Sequence, residues 1–144
     1  MRFELDGYEG DAHPEDFVRA VQNILAATDR LLLDATDFVH QYCLDELADW
    51  GDDAPSIEMQ RPADVWEYVD LGSVLILSRD HGRGRDVFAS LECECAWEPE
   101  HGLQLVFRNG SEISKVGPFD GHVSNASAYD DDTLEGVVYK RLAD

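Results

Sequence analysis

The sequence predicts an α+β fold in which a long N-terminal helix, or a collinear helix pair, packs on an antiparallel β-meander. Three observations predict it. From Glu15 to Trp50 there is no glycine and no proline, and the apolar residues recur at helical spacing. After about residue 62 the apolar pattern changes to alternation, which is the period of a strand. The alternating runs are separated by short turns, one of them the hairpin signal Asn109-Gly110.

Taken in order, Arg2 to Leu5 reads as a short strand, interrupted by Gly7 and Gly10. His13-Pro14-Glu15-Asp16 opens the helix: proline suits the first helical position, and acids suit the positive end of the helix dipole. Phe17, Val21, Ile24, Thr28, Leu31, Ala35, Phe38 and Tyr42 then follow steps of four and three, flanked by Val18, Leu25, Leu32 and Val39. This is one apolar stripe. Its phase survives Thr28-Asp29, although Thr28 could also cap a second helix. A one-sided stripe must be covered, by the chain's own sheet or by a second copy in a homodimer. Gly51 to Pro55 ends the helix and opens a linker to about Pro62.

Ser73 to Ser78 reads as a strand, Asp80 to Asp86 as a turn-rich connection carrying the one basic patch, and Val87 to Trp97 as the longest strand. On that strand Val87, Ala89, Leu91, Cys93, Cys95 and Trp97 share one face; Phe88, Ser90, Glu92, Glu94 and Ala96 share the other. Glu98 to Gly102 is a connecting turn. Gly102 to Phe107 and Ser111 to Val116 form a hairpin around Asn109-Gly110. Gly136 to Tyr139 is a candidate edge strand. Trp66, Tyr68 and Val74 to Leu77 read as core. Residues 1–61 form a strand-and-helix region and residues 62–144 a sheet region, expected to make one compact domain together.

Composition narrows function. There are 31 Asp plus Glu against 11 Lys plus Arg, a net charge of -20, which repels nucleic-acid phosphates and anionic membrane surfaces. No run approaches the roughly 18 apolar residues of a membrane helix. The N-terminal residues lack the basic and apolar regions of a signal peptide. Three cysteines (Cys43, Cys93 and Cys95) argue against a disulfide framework, and a cytoplasmic location is expected. The acidity has three readings: a solubilising or salt-adapted surface, a face for a basic protein, or a divalent-cation site.

Leu91 to Leu103, containing Trp97-Glu98-Pro99-Glu100-His101-Gly102-Leu103, resembles the signature of a widespread, uncharacterised bacterial domain family. Lys115 to Val123, containing Gly117-Pro118-Phe119-Asp120-Gly121-His122, and Ala126 to Tyr139 are similar to it as well. The resemblance implies a small α+β domain in a bacterial cytoplasm and no activity. Toxin-immunity proteins are an analogy of type, small and acidic, without a matching motif.

The binding candidates are Glu92, Glu94, Trp97, Glu98, Glu100, His101, Asp120 and His122. No catalytic residue, resident metal or cofactor is assigned, because there is no P-loop, nucleophile elbow or H-E-x-x-H. The leading reading is a non-enzymatic, acidic protein-interaction domain with a basic partner, immunity- or antitoxin-like. The alternative is a metal-binding or His-carboxylate hydrolytic enzyme with its site at Glu98 to His101 and Asp120 to His122. Strand order predicts that these two turns meet at one end of the sheet, where carboxylates would favour a protonated imidazole. Trp50, beside Asp49, Asp52 and Asp53, is a further candidate contact residue or a lid on the helix end.

Overall fold

The computed structural model describes residues 1–141. The elements are β1 (Arg2–Leu5), α1 (Glu15–Trp50), β2 (Val69–Asp70), β3 (Val74–Arg79), β4 (Val87–Cys95), β5 (Leu103–Arg108), β6 (Glu112–Gly117) and the five-residue α2 (Asn125–Tyr129). Strands β3 to β6 form the expected antiparallel meander. Two additions extend it: β1 pairs with β3 in parallel, and β2 continues beside the C-terminal end of β4, Val69 opposite Cys95.

Helix α1 lies along the sheet in the direction of β4. Near its start Asn23 Nδ2 donates to the Asn109 carbonyl (3.0 Å), and near its end the Tyr42 hydroxyl donates to the Gly102 carbonyl (2.8 Å). The apolar stripe is buried against the sheet: Phe17, Ala20, Ile24, Leu31, Ala35, Val39 and Tyr42 meet Leu75, Leu77, Ala89, Leu91, Cys93, Leu105 and Phe107 in one cluster. Each large side chain buried there contributes about 1.5–3 kcal/mol. The stripe is therefore covered within one chain, and a second copy would have to use another surface.

The helix is not regular throughout. Ala27 has φ -141° and ψ 25°, so α1 is two segments joined by a kink. The break precedes Thr28, and Thr28 is not a cap: its hydroxyl donates back to the Ile24 carbonyl (2.8 Å). The buried stripe is narrower than expected: Val18 in the first segment, and Leu25 and Thr28 beside the kink, are exposed. In β3, Leu75 and Leu77 are buried while Ile76 is exposed, as a strand with one covered face requires. Trp66 and Tyr68 lie half-buried against the core in a 3-10 segment, Pro62–Tyr68. The Trp66 ring N–H donates to the Thr36 hydroxyl (3.0 Å).

A bulge in β6 has the largest consequence. Val106 faces Lys115 and Phe107 faces Ile113, which leaves Ser114 without a partner across the strands. Ile113 and Val116, three apart, both join the helix-side core, and Lys115 turns to the other face. There Phe88 and Val106 are buried outside the helix-side cluster, as is Ala126 of α2.

The chain after Gly117 wraps the sheet. Ser124 donates to Asp80 (2.6 Å) on the second face. Asn125 Nδ2 holds the carbonyls of Val137 and Val138 (2.8 and 3.2 Å), and the Val116 N–H donates to Val138 (2.8 Å) at the β6 edge. Tyr139 then reaches the helix, donating to Asp45 (2.7 Å). Residues 136–139, expected as an edge strand, are a turn and a strap with this one main-chain bond to β6, because Gly136 sits at φ +81°. Asp130 to Asp132 is exposed, and Arg83 of the basic patch is engaged with Asp130, Asp132 and Glu135. Arg85 pairs with Asp16 (2.9 Å). The patch is thus neutralised by the chain itself.

The hairpin tip fixes how closely helix and sheet approach. Gly110 sits at φ +69°, and a Cβ there would collide with the Ala20 carbonyl. Gly110→Ala is expected to lower the unfolding free energy by about 2–4 kcal/mol, through left-handed strain and displacement of the helix. Urea denaturation measures it.

Candidate functional site

Two turns meet at the end of the sheet where α1 finishes. The Phe119 N–H donates to the His101 carbonyl (3.3 Å). In the first turn Glu98 organises the chain: its Oε1 accepts the N–H groups of Glu100 (2.9 Å) and His101 (3.2 Å), and its Oε2 lies 2.6 Å from His101 Nδ1. Gly102 closes the turn at φ +70°, close against the Cys93 carbonyl. Burial pulls the Glu98 carboxyl up, but the hydrogen bonds from His101 and Glu100 outweigh it and hold the group below its usual value. The hydrogen bond and charge of Glu98 raise His101 in turn.

The second turn is held from beneath. Lys115 is 2% exposed, and its ammonium donates to Gln104 Oε1 (2.7 Å), Asp120 Oδ1 (2.6 Å) and the His122 carbonyl (3.2 Å). Gln104 Nε2 donates to the same carbonyl and to Ser90 (both 2.9 Å). Asp120 also accepts the His122 N–H (2.9 Å). Three acceptors satisfy the three ammonium hydrogens, which is the condition for burying a charge. Burial pushes Lys115 below the usual lysine value, while Asp120 pulls it back.

Around these turns lies a cleft of about 770 Å³. Part of the lining is the end of α1, with Glu46, Asp49 and Trp50, and Asp53 of the turn after it; another part is Glu98, Glu100 and His101. Lys115, Pro118, Phe119, Asp120, His122, Ala128, Tyr129 and Lys140 also line it. Burial and the neighbouring Glu98 and Asp49 carboxylates raise Glu46.

The expected site residues divide. Glu98, Glu100, His101, Asp120 and His122 share this cleft. Glu92 and Glu94 are exposed on the far side of the Glu98 turn, in a second groove that shares only Glu100 and His101 with the first. Trp97 is fully buried, its ring edge-on to Tyr42 at 5.6 Å, so it is a core residue and not a contact residue. Its ring N–H has no hydrogen-bond partner among the described residues. Trp50 combines both expectations: its N–H donates to the Trp97 carbonyl (3.0 Å), yet it remains 41% exposed in the cleft. Asp120 is engaged by Lys115, and the hydrogen bonds of His122 run through its main chain.

Among the described residues, no group of three or more His, Cys, Asp or Glu is placed to hold a metal ion. The cysteines are buried, and burial pushes Cys43 and Cys93 up to about 11 and Cys95 up to about 12, away from the thiolate form that metals bind. Lys115, Gln104, Glu46 and Tyr129 are the site residues that pattern reading did not single out. The signal for Lys115 is the three-residue spacing of Ile113 and Val116, which breaks strict alternation.

A helix-covered mixed sheet with an acidic cleft at one end defines a small α+β domain. Among the described residues, no helix is long and apolar enough to cross a membrane. The chain belongs to the family described as Domain of unknown function (DUF6985), matched over residues 1–123. No curated protein and no solved structure matches it.

Two predictions follow from the turns. Lys115→Met leaves Gln104 Oε1 without its donor, removes one of the two donors to the His122 carbonyl, and leaves partly exposed Asp120 without its cation. A loss of about 2–3 kcal/mol is expected in chemical denaturation, with faster proteolysis after residue 117. His101, by contrast, is exposed, and its titration followed by NMR should lie above 6.5 and move back toward that value in Glu98→Gln. Because the folded value is raised, the His101 contribution to stability is complete below pH 6.5 and disappears as pH rises through the folded value. Glu98, held below 4.5, loses its contribution as pH falls through its own folded value.

Proposed function

We propose that this protein is a non-enzymatic interaction domain that receives a basic segment of a protein partner in the cleft at the end of α1. The observation carrying this reading is that Glu46 and Asp49 in the last turns of α1, and Asp53 in the turn that follows it, line one cleft together with Glu98 and Glu100. The last turn of α1 contains no basic residue, so the partial negative charge of the helix terminus adds to the carboxylates. Trp50 and Tyr129 supply exposed aromatic surface for the stems and heads of lysine or arginine. An immunity-type pairing, in which an acidic protein covers the cationic surface of a toxin, is the form of partnership that suits this surface in a bacterial cytoplasm.

The close Glu98–His101 pair favours a second reading, general acid–base hydrolysis. Its raised pKa makes His101 the weaker candidate, because a base must be unprotonated at the working pH.

Titration calorimetry with nona-arginine tests the first reading. Binding is expected, weakening as salt rises. Glu46→Gln with Asp53→Asn should reduce affinity about three- to tenfold, from roughly 0.2–1 kcal/mol per screened charge. Asp29→Asn with Asp37→Asn, on the outer side of the helix, should change it less than twofold. Equal losses in the two double variants would reduce the effect to net charge and overturn the cleft assignment.

A further inference from the structure

Resting on that reading, we infer that the cleft is already engaged in cis by the chain's own basic pair, Lys140-Arg141, which acts as a pseudo-ligand that a basic partner must displace. The carboxylates alone do not define a ligand. The cations that the chain itself places against them do.

Arg141 sets its guanidinium against the end of α1, with Nη2 2.9 Å from Asp49 and Nη1 3.8 Å from Asp45. Lys140 lines the cleft and stands over the Tyr129 ring, its ammonium 4.7 Å from the centroid. A guanidinium on helix-terminal carboxylates and an ammonium on an aromatic face are the two contacts expected for a basic peptide in this cleft. The chain has two lysines, Lys115 and Lys140, and both line the cleft: one is its buried support, the other an occupant.

The pair is placed to exchange. The preceding strap is held by other contacts: Asn125 on the Val137 and Val138 carbonyls, the Val116–Val138 main-chain bond, and the Tyr139 hydroxyl on Asp45. Arg141 and Asp49 are each about half exposed, at 49% and 47%, so their ion pair is of the weak surface kind. The strap's own contacts do not run through Lys140 or Arg141, so displacing the pair leaves them in place. The family match ends at residue 123, so this regulation belongs to the segment beyond the matched domain.

The experiment is nona-arginine binding by calorimetry to the wild type, to Lys140→Ala/Arg141→Ala, and to Arg2→Ala/Arg19→Ala. The last pair removes the same charge from exposed positions elsewhere. Loss of the pseudo-ligand is expected to tighten binding two- to fivefold relative to both other proteins, with thermal midpoints confirming that the strap remains docked. In the wild type, the peptide should also shift the Arg141 side-chain NMR signal toward its free position. Equal tightening in both double variants, or none in either, overturns the pseudo-ligand while leaving the cleft as a binding site. Absence of binding to all three proteins overturns the cleft reading and the inference with it.

Discussion

An ammonium group buried against a β-sheet has to be met by acceptors, and much of this protein's polar architecture is the set of acceptors that meets Lys115. Gln104 comes from the neighbouring strand; Asp120 and the His122 carbonyl come from the chain that follows β6. That requirement fixes where residues 118–122 lie. They in turn form the floor of the cleft, rest on the His101 carbonyl, and start the strap across the second face. The cost of desolvating one charge is offset by tying residues 120–122, which lie outside the apolar core cluster, to β5 and β6.

Lys115 reaches that face only because β6 carries a bulge. Strict alternation would set Lys115 beside Ile113, toward α1 and the apolar core. One extra residue, Ser114, reverses this: Val116 takes the core position, and Lys115 faces Val106 on the other side. This is the part of the site that the sequence hides. The long helix was legible because 36 residues without Gly or Pro leave few alternatives, and β3 to β6 because their turns carry Asn-Gly and Glu-to-Gly signals. The meeting of the two turns was legible from strand order alone. The parallel pairing of β1 was not, since four residues of alternating exposure carry no information about a partner. The kink was legible only in part: Thr28-Asp29 marked a possible break, but through a cap that Thr28 does not make, and Ala27 itself is a good helix former. The separation of Glu92 and Glu94 from the cleft follows from the position of the Glu98 turn between them, which residue spacing does not report.

The histidine at the site illustrates how the same residues can be read two ways until geometry orders them. His101 looks like a ligand or a base in sequence. In the fold its ring is tied to Glu98, which also caps two main-chain N–H groups, so the carboxylate shapes the turn and the imidazole adds a charge partner at its surface. The structural clasp lies one layer deeper, at Lys115, where burial makes hydrogen bonds count for more. His101 is left at the mouth of the cleft, where its charge is available to whatever enters.

The acidic end of α1 is arranged against its own stability. Carboxylates near a helix C-terminus oppose the dipole, while Glu15 and Asp16 at the other end follow it, so the chain departs from the favourable arrangement at one terminus only. Burial first, and then the adjacent Glu98 and Asp49 carboxylates, raise Glu46 there, so part of its shift comes from negative charge held close together. Such local conflicts tend to sit at functional positions, because a partner's opposite charge removes them. Arg141 removes part of the conflict in cis: it pairs with Asp49 and Asp45, and its charge draws Glu46 down, yet Glu46 stays raised. A basic segment that relieved more of this conflict than Arg141 does would gain more than it displaces, and that difference would give the proposed binding its direction.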